Sequence, residues 1–140
     1  MKISALVIVA IHFVVVVLHS HAHTVLTVEA TSAQLAFIVP VIIVAPVVAV
    51  IMLLKFEKPG MILLTASMLG SLVFGIYYHF IADTIDHVAH VGHREPLFWS
   101  QMFLVTSYLL AITEAAGAAV GLFSVLVPSV ANQTLRRNVS

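Results

Sequence analysis

Eight histidines stand in a chain with only six acidic and six basic residues. His12, His19, His21 and His23 belong to an N-terminal apolar segment and the connection after it. His79, His87, His90 and His93 follow a later apolar segment, with Asp83 and Asp86 among them. Imidazole and carboxylate together bind borderline divalent metals. The chain has no cysteine, which excludes disulfides, thiolate zinc sites and iron–sulfur clusters. His79/Asp83, Asp83/His87 and Asp86/His90 are i,i+4 pairs, a spacing that offers one ion two ligands from a single helical turn. With His79 at zero and about 100° per residue, Asp83, Asp86, His90 and His93 fall within an arc of about 80°, and His87 sits at its edge. His12, His19 and His23 share a second stripe, and His21 points away from it. The candidate metal ligands are therefore His79, Asp83, Asp86, His87, His90 and His93, faced by His12, His19 and His23. From His79 to His93 a continuous helix rises about 21 Å. That length implies two layers, an upper one near His90 and His93 and a lower one near His79 and Asp83 that His12 completes. Copper or zinc is the expected ion, with iron next. The plainer alternatives are interfacial histidines, and aspartates that cap helices or pair with Arg94.

The elements that must position these residues are membrane spans. The chain has 140 residues, 61% of them hydrophobic, and a mean hydropathy of +1.14. Such a composition leaves too little polar surface for a soluble domain, and no basic patch of the kind nucleic acid requires. Four apolar segments reach the length a bilayer core demands: about 3–20, 35–54, 61–82 and 97–127, the last ended by Pro128. The expected fold is all-α, an integral membrane four-helix bundle in which 1–140 form one transmembrane domain, multi-pass in the cell membrane with lipid around it. Lys2, Lys55, Lys58, Arg136 and Arg137 fall on one side and Arg94 on the other, so the N- and C-termini are expected to be cytoplasmic. Both histidine groups then approach the outer face. A competing reading takes Met1-Lys2, the apolar run and Ser20-His21-Ala22 as a cleavable signal segment. Asn132 and Asn138 match a glycosylation pattern but lie on the expected cytoplasmic side. Pro40 and Pro46 remove backbone donors from the second span and predict kinks.

Glu114 is the other costly group in a span. It is expected about 25 Å below the outer surface, in the inner half and away from the histidines. Proton relay or a partner contact are its candidate roles, against a protonated Glu that hydrogen-bonds a neighbouring helix. Gly117 and Gly121 form a small-x3-small pair for close helix packing.

Three fragments resemble known families. Asp83-x3-His87 and Asp86-x3-His90 resemble the Asp-x3-His ligand pair in the C subunit of membrane copper monooxygenases for methane and ammonia, whose further histidine stands later than His93. That resemblance implies an accessory role beside such a complex. Gly75-Ile76 followed by His79-Phe80-Ile81-Ala82-Asp83 is similar to the heme b region of succinate dehydrogenase membrane anchors. Asp86-His87 after His79 resembles the His-Asp-His signature of nickel and cobalt permeases, at a longer spacing.

The leading expectation is a small metal-binding subunit of a larger membrane metalloenzyme or oxidoreductase complex. A bundle this small, with short loops, is expected to lack a substrate pocket of its own. The alternatives are a heme b electron-transfer subunit with His12 and His79 as axial ligands, a small metal-ion or proton transporter, and a purely structural membrane subunit.

Overall fold

In an apolar solvent a single segment can satisfy its own backbone only as a helix. The computed structural model describes residues 1–127, of which 83% are helical, with no strand among them. Pro128, Asn132, Asn138, Arg136 and Arg137, with the C-terminus, lie outside the described residues. Four helices are long and apolar enough to cross a membrane: α1 (Lys2–Val25), α2 (Ser32–Leu53), α3 (Glu57–Ile81) and α5 (Leu97–Leu126). A single turn, α4 (Val88–Val91), interrupts the α3–α5 connection.

The helix ends and interruptions matter more to the site than the helices themselves. α1 runs past the expected boundary and carries His19, His21 and His23 on helix. It stops in a Schellman closure. Thr27 takes the left-handed conformation (φ 53°), and the Val28 N–H returns 3.0 Å to the His23 carbonyl. Thr31 and Gln34 form a capping box at the start of α2. Within α2 the stretch Ile38–Val44 widens into a π-helical turn, where Pro40 and Pro46 lack the N–H groups that α-helical pairing uses. α3 also ends in a wide turn, over Tyr77–Ile81, closed by the Ala82 N–H on the Tyr77 carbonyl at 2.7 Å.

α3 packs on α5 and on α2, α5 packs on α1, and α1 meets α2 through the Ala45–Leu53 half. One apolar core lies at the level of Ala5, Val9, Leu53, Met61 and Leu64. A second, at the opposite end, gathers Ala22, Leu26, Val28, Val91 and Phe103. Between them a smaller apolar group, Val15, Val16 and Leu110 with Ile42 and Ile43, stands beside buried polar side chains that include Ser71, Ser107 and Glu114. Lys2 pairs with Glu57 at 3.1 Å, joining the starts of α1 and α3 at one end, while Arg94 lies in the α3–α5 connection at the other.

Gly117 and Gly121 let α5 approach α3. A Cβ added at Gly117 meets Met68 Cγ at 2.8 Å, and one added at Gly121 comes within 3.2 Å of the Met61 carbonyl oxygen and the Thr65 nitrogen. Backbone cannot yield as a flexible side chain can. Gly121→Leu is therefore expected to cost about 1–3 kcal/mol or to part the two helices, read as a lowered unfolding midpoint in detergent. Gly70→Ala, whose added Cβ would meet only the side-chain atoms Val41 Cγ1 at 3.4 Å and Phe37 Cζ at 3.6 Å, is the milder comparison.

Candidate metal centre

His19 and His23 stand one turn apart on α1, and His79 faces them from the wide turn that ends α3. One ring nitrogen from each lies within 4.8 Å of the other two. All three rings pack around the fully buried Phe103 of α5, with centroid distances of 4.7, 5.0 and 5.4 Å. His19 and His79 are each 7% exposed, so their ring nitrogens must look for partners inside the protein.

Hydrogen bonding fixes the tautomers of His23 and His79. His23 Nδ1 lies 2.8 Å from the Val28 carbonyl oxygen, and His79 Nδ1 lies 3.1 Å from that of Asp86. A carbonyl only accepts, so both Nδ1 atoms carry the proton and donate. His19 Nδ1 lies 2.9 Å from Thr106 Oγ1. When the Thr106 hydroxyl gives its proton to the backbone carbonyl of Met102 or Phe103, its oxygen accepts from His19. The three Nε2 atoms then hold free lone pairs. Those of His19 and His23 are 3.1 Å apart, a hydrogen bond when His19 carries its proton on Nε2 instead, and a meeting of two lone pairs when it does not. Two imidazoles on a tetrahedral zinc ion stand at about that separation, given metal–nitrogen bonds of about 2.0–2.1 Å. A ring N–H held by a backbone carbonyl or a hydroxyl also orients metal-bound imidazoles. The donor set and its orientation fit a divalent transition metal.

The remaining expected ligands do not join this group. α3 stops at Ile81, so the continuous stripe through His93 does not form, and the two-layer arrangement that rested on it falls with it. Asp83 and His90 pair with each other at 2.5 Å on the exposed surface. His87 caps α4 through its ring, and His93 is exposed. His21 lies against Trp99, with centroids 4.6 Å apart. Asp86 is buried beside the cluster, but its carboxylate serves elsewhere. Oδ2 accepts from Gln34 Nε2 at 3.1 Å, and Oδ1 has no partner. His12 is buried lower on α1. Its Nε2 lies 3.4 Å from the Ile42 carbonyl oxygen, the acceptor that Pro46, four residues on, has no N–H to fill. Its Nδ1 lies 3.5 Å from Thr113 Oγ1.

A cavity of about 600 Å³ opens beside the three histidines, within the range of small-molecule sites. The expectation of little room for a pocket is thus corrected: α1 meets α2 through its Ala45–Leu53 half and through Ile42 and Ile43, which leaves space between the ends of the two helices that carry His23 and Leu35. Glu114 lines the same cavity as His19, His23 and His79. Its expected separation from the histidines is corrected too. It lies about 12 Å of helical rise beyond Thr106, and its side chain leans back toward the start of α5, as helical side chains do. Thr106 and Gln34 were not among the expected site residues. Thr106 stands at the turn of α5 that meets His19, and Gln34 is marked in the sequence only by the capping pattern Thr31-x-x-Gln34. Set against protein-family models, curated proteins and solved structures, the chain matches none.

The His12 contact is testable by itself. Pro46→Ala restores a backbone donor for the Ile42 carbonyl, so His12→Ala is expected to cost about 0.5–1 kcal/mol less in that background than in the parent. A double-mutant cycle of unfolding free energies in detergent measures the difference.

Proposed function

We propose that this chain is an integral membrane protein that holds one divalent transition-metal ion, zinc or copper(II), on the Nε2 atoms of His19, His23 and His79 near its outer face. The convergence of three ring nitrogens, two of them on rings whose Nδ1–H is held by a backbone carbonyl, carries this reading. Three imidazoles without thiolate suit these ions. Three protein ligands beside a cavity leave a coordination position open, the arrangement of reactive rather than closed structural sites. Membrane residence is supported by the outward apolar side chains of all four long helices, among them Ile3, Ile51, Val73 and Ile112, each at least 60% exposed. A place within a larger membrane assembly remains part of the proposal, but the cavity means that a partner is not needed to supply a pocket.

The metal test uses full-length protein in detergent, dialysed against zinc or copper(II) and then against buffer. Equimolar metal is expected in the parent, and its loss in His23→Ala and His79→Ala. Asp83→Asn and His90→Ala are expected to retain it. Thr106→Val, which removes the acceptor on His19, is expected to weaken binding about 10–100-fold in chelator competition. Acidification is expected to release the ion, because protons compete for the same lone pairs. Unchanged metal content in a His23→Ala/His79→Ala double variant would overturn the reading.

Orientation has a separate test, helped by the absence of native cysteine. A cysteine at Arg94 is expected to react with a membrane-impermeant maleimide in intact cells, and one at Lys58 only after lysis. The reverse pattern places the histidines on the cytoplasmic face and leaves the metal reading standing.

A further inference from the structure

The part of the cavity beyond the histidines is not explained by a metal ion. Glu114 is 2% exposed, it lines the cavity, and its Oε2 has no hydrogen-bond partner. The wall opposite is notched: a Cβ added at Gly75 would meet Glu114 Oε2 at 3.6 Å, so the natural glycine leaves that space open.

The polar groups around this space are acceptors. Ser71 donates its hydroxyl proton to the Ser67 carbonyl at 2.8 Å, and Ser107 donates its own to the Phe103 carbonyl at 2.8 Å. Both serines line the cavity with only oxygen lone pairs to offer. Three carboxylates line it, Glu29, Asp86 and Glu114, and no lysine or arginine does. The rest of the wall near Glu114 is apolar, with Ile42, Phe74 and Leu110. Acceptors and carboxylates call for a cationic donor, and apolar walls call for hydrocarbon rather than a hydrated ion.

We infer that this cavity binds a small organic cation, a primary amine with an apolar body, whose ammonium docks on Glu114 with Ser71 and Ser107 as further acceptors along the cavity. The ammonium supplies three N–H donors and no acceptor, matching the lining. Entry is from the side of Thr24, Thr27 and Glu29, which are exposed at the rim. The inference goes beyond the metal reading and stands without it. With a divalent ion on the histidines, one ammonium completes the charge balance of the three carboxylates.

The test titrates n-hexylamine and hexan-1-ol, equal in hydrocarbon length, into full-length protein in detergent by calorimetry. Hexylamine is expected to bind at least tenfold tighter than hexanol. Glu114→Gln is expected to weaken hexylamine about tenfold or more and to leave hexanol unchanged. Gly75→Leu, which fills the notch, is expected to lose both, and it serves as the deciding variant if Glu114→Gln does not fold. Chelator-treated protein and His79→Ala are expected to keep the preference for amine, so a failed metal site and a failed amine site are told apart. Equal binding of amine and alcohol by the parent overturns the inference, as does amine affinity that neither Glu114→Gln nor Gly75→Leu lowers.

Discussion

The donor commitment of the His23 and His79 Nδ1 atoms is the constraint on which the rest of the site depends. In a bundle whose helices are apolar along most of their length, a buried N–H must find an acceptor within the protein. Each of the three histidines finds one at a different kind of irregularity: a carbonyl released at the end of α1, a carbonyl in the connection after α3, and a threonine hydroxyl turned into its own helix. Once those bonds are made, ring geometry leaves Nε2 with a lone pair on the opposite edge. Packing around Phe103 then brings those edges together. The group of ring nitrogens so formed is one that could hold a metal ion.

Helix irregularity is what makes these acceptors available. A regular α-helix consumes its carbonyls four residues on and has none to offer except at its last turn. Here α1 closes in a Schellman turn that folds Val28 back over His23. α3 widens and stops at Ile81, which lets the chain return and place the Asp86 carbonyl on His79. The capping box at the start of α2 has a second use: Gln34 accepts from the Thr31 N–H at 2.7 Å and donates to Asp86 at 3.1 Å, tying the α1–α2 connection to the α3–α5 connection. The two connections that carry the site are thus held to each other as well as to their own helices. Pro46 acts by the same logic lower down, where the carbonyl it leaves unfilled faces His12.

Hydropathy made the four long helices legible, because a run of about 20 apolar residues has few other uses. His19, His23 and His79 were also within reach, since periodicity placed His19 and His23 on one stripe and set His79 on a facing one. The phase argument failed where it extended α3 to His93. No glycine or proline stands between Ile81 and His87 to announce a break, and residue spacing has meaning only while the helix continues. The cavity that Glu114 shares with the histidines was not legible for a related reason. Counting residues along α5 locates a Cα, whereas the cavity reaches down from the histidines and the side chain reaches up to meet it. Thr106 and Gln34 were invisible as site residues because their roles depend on partners 87 and 52 positions away in the chain.

Two buried carboxylate oxygens without partners, Asp86 Oδ1 and Glu114 Oε2, separate this interior from one built for stability alone. Each such atom costs roughly 1–3 kcal/mol relative to a satisfied one. Leucine in place of Glu114 would remove one cost and fill space that now stands open against Gly75. The bundle elsewhere shows that close packing was within its means, with Gly117 and Gly121 drawing α3 and α5 together below the cavity. The open volume, the notch at Gly75 and the orphaned oxygens occur at one place, bounded by tight apolar packing at both ends. For the proposed occupant, the acceptor character of the lining sets the chemistry more narrowly than the volume does.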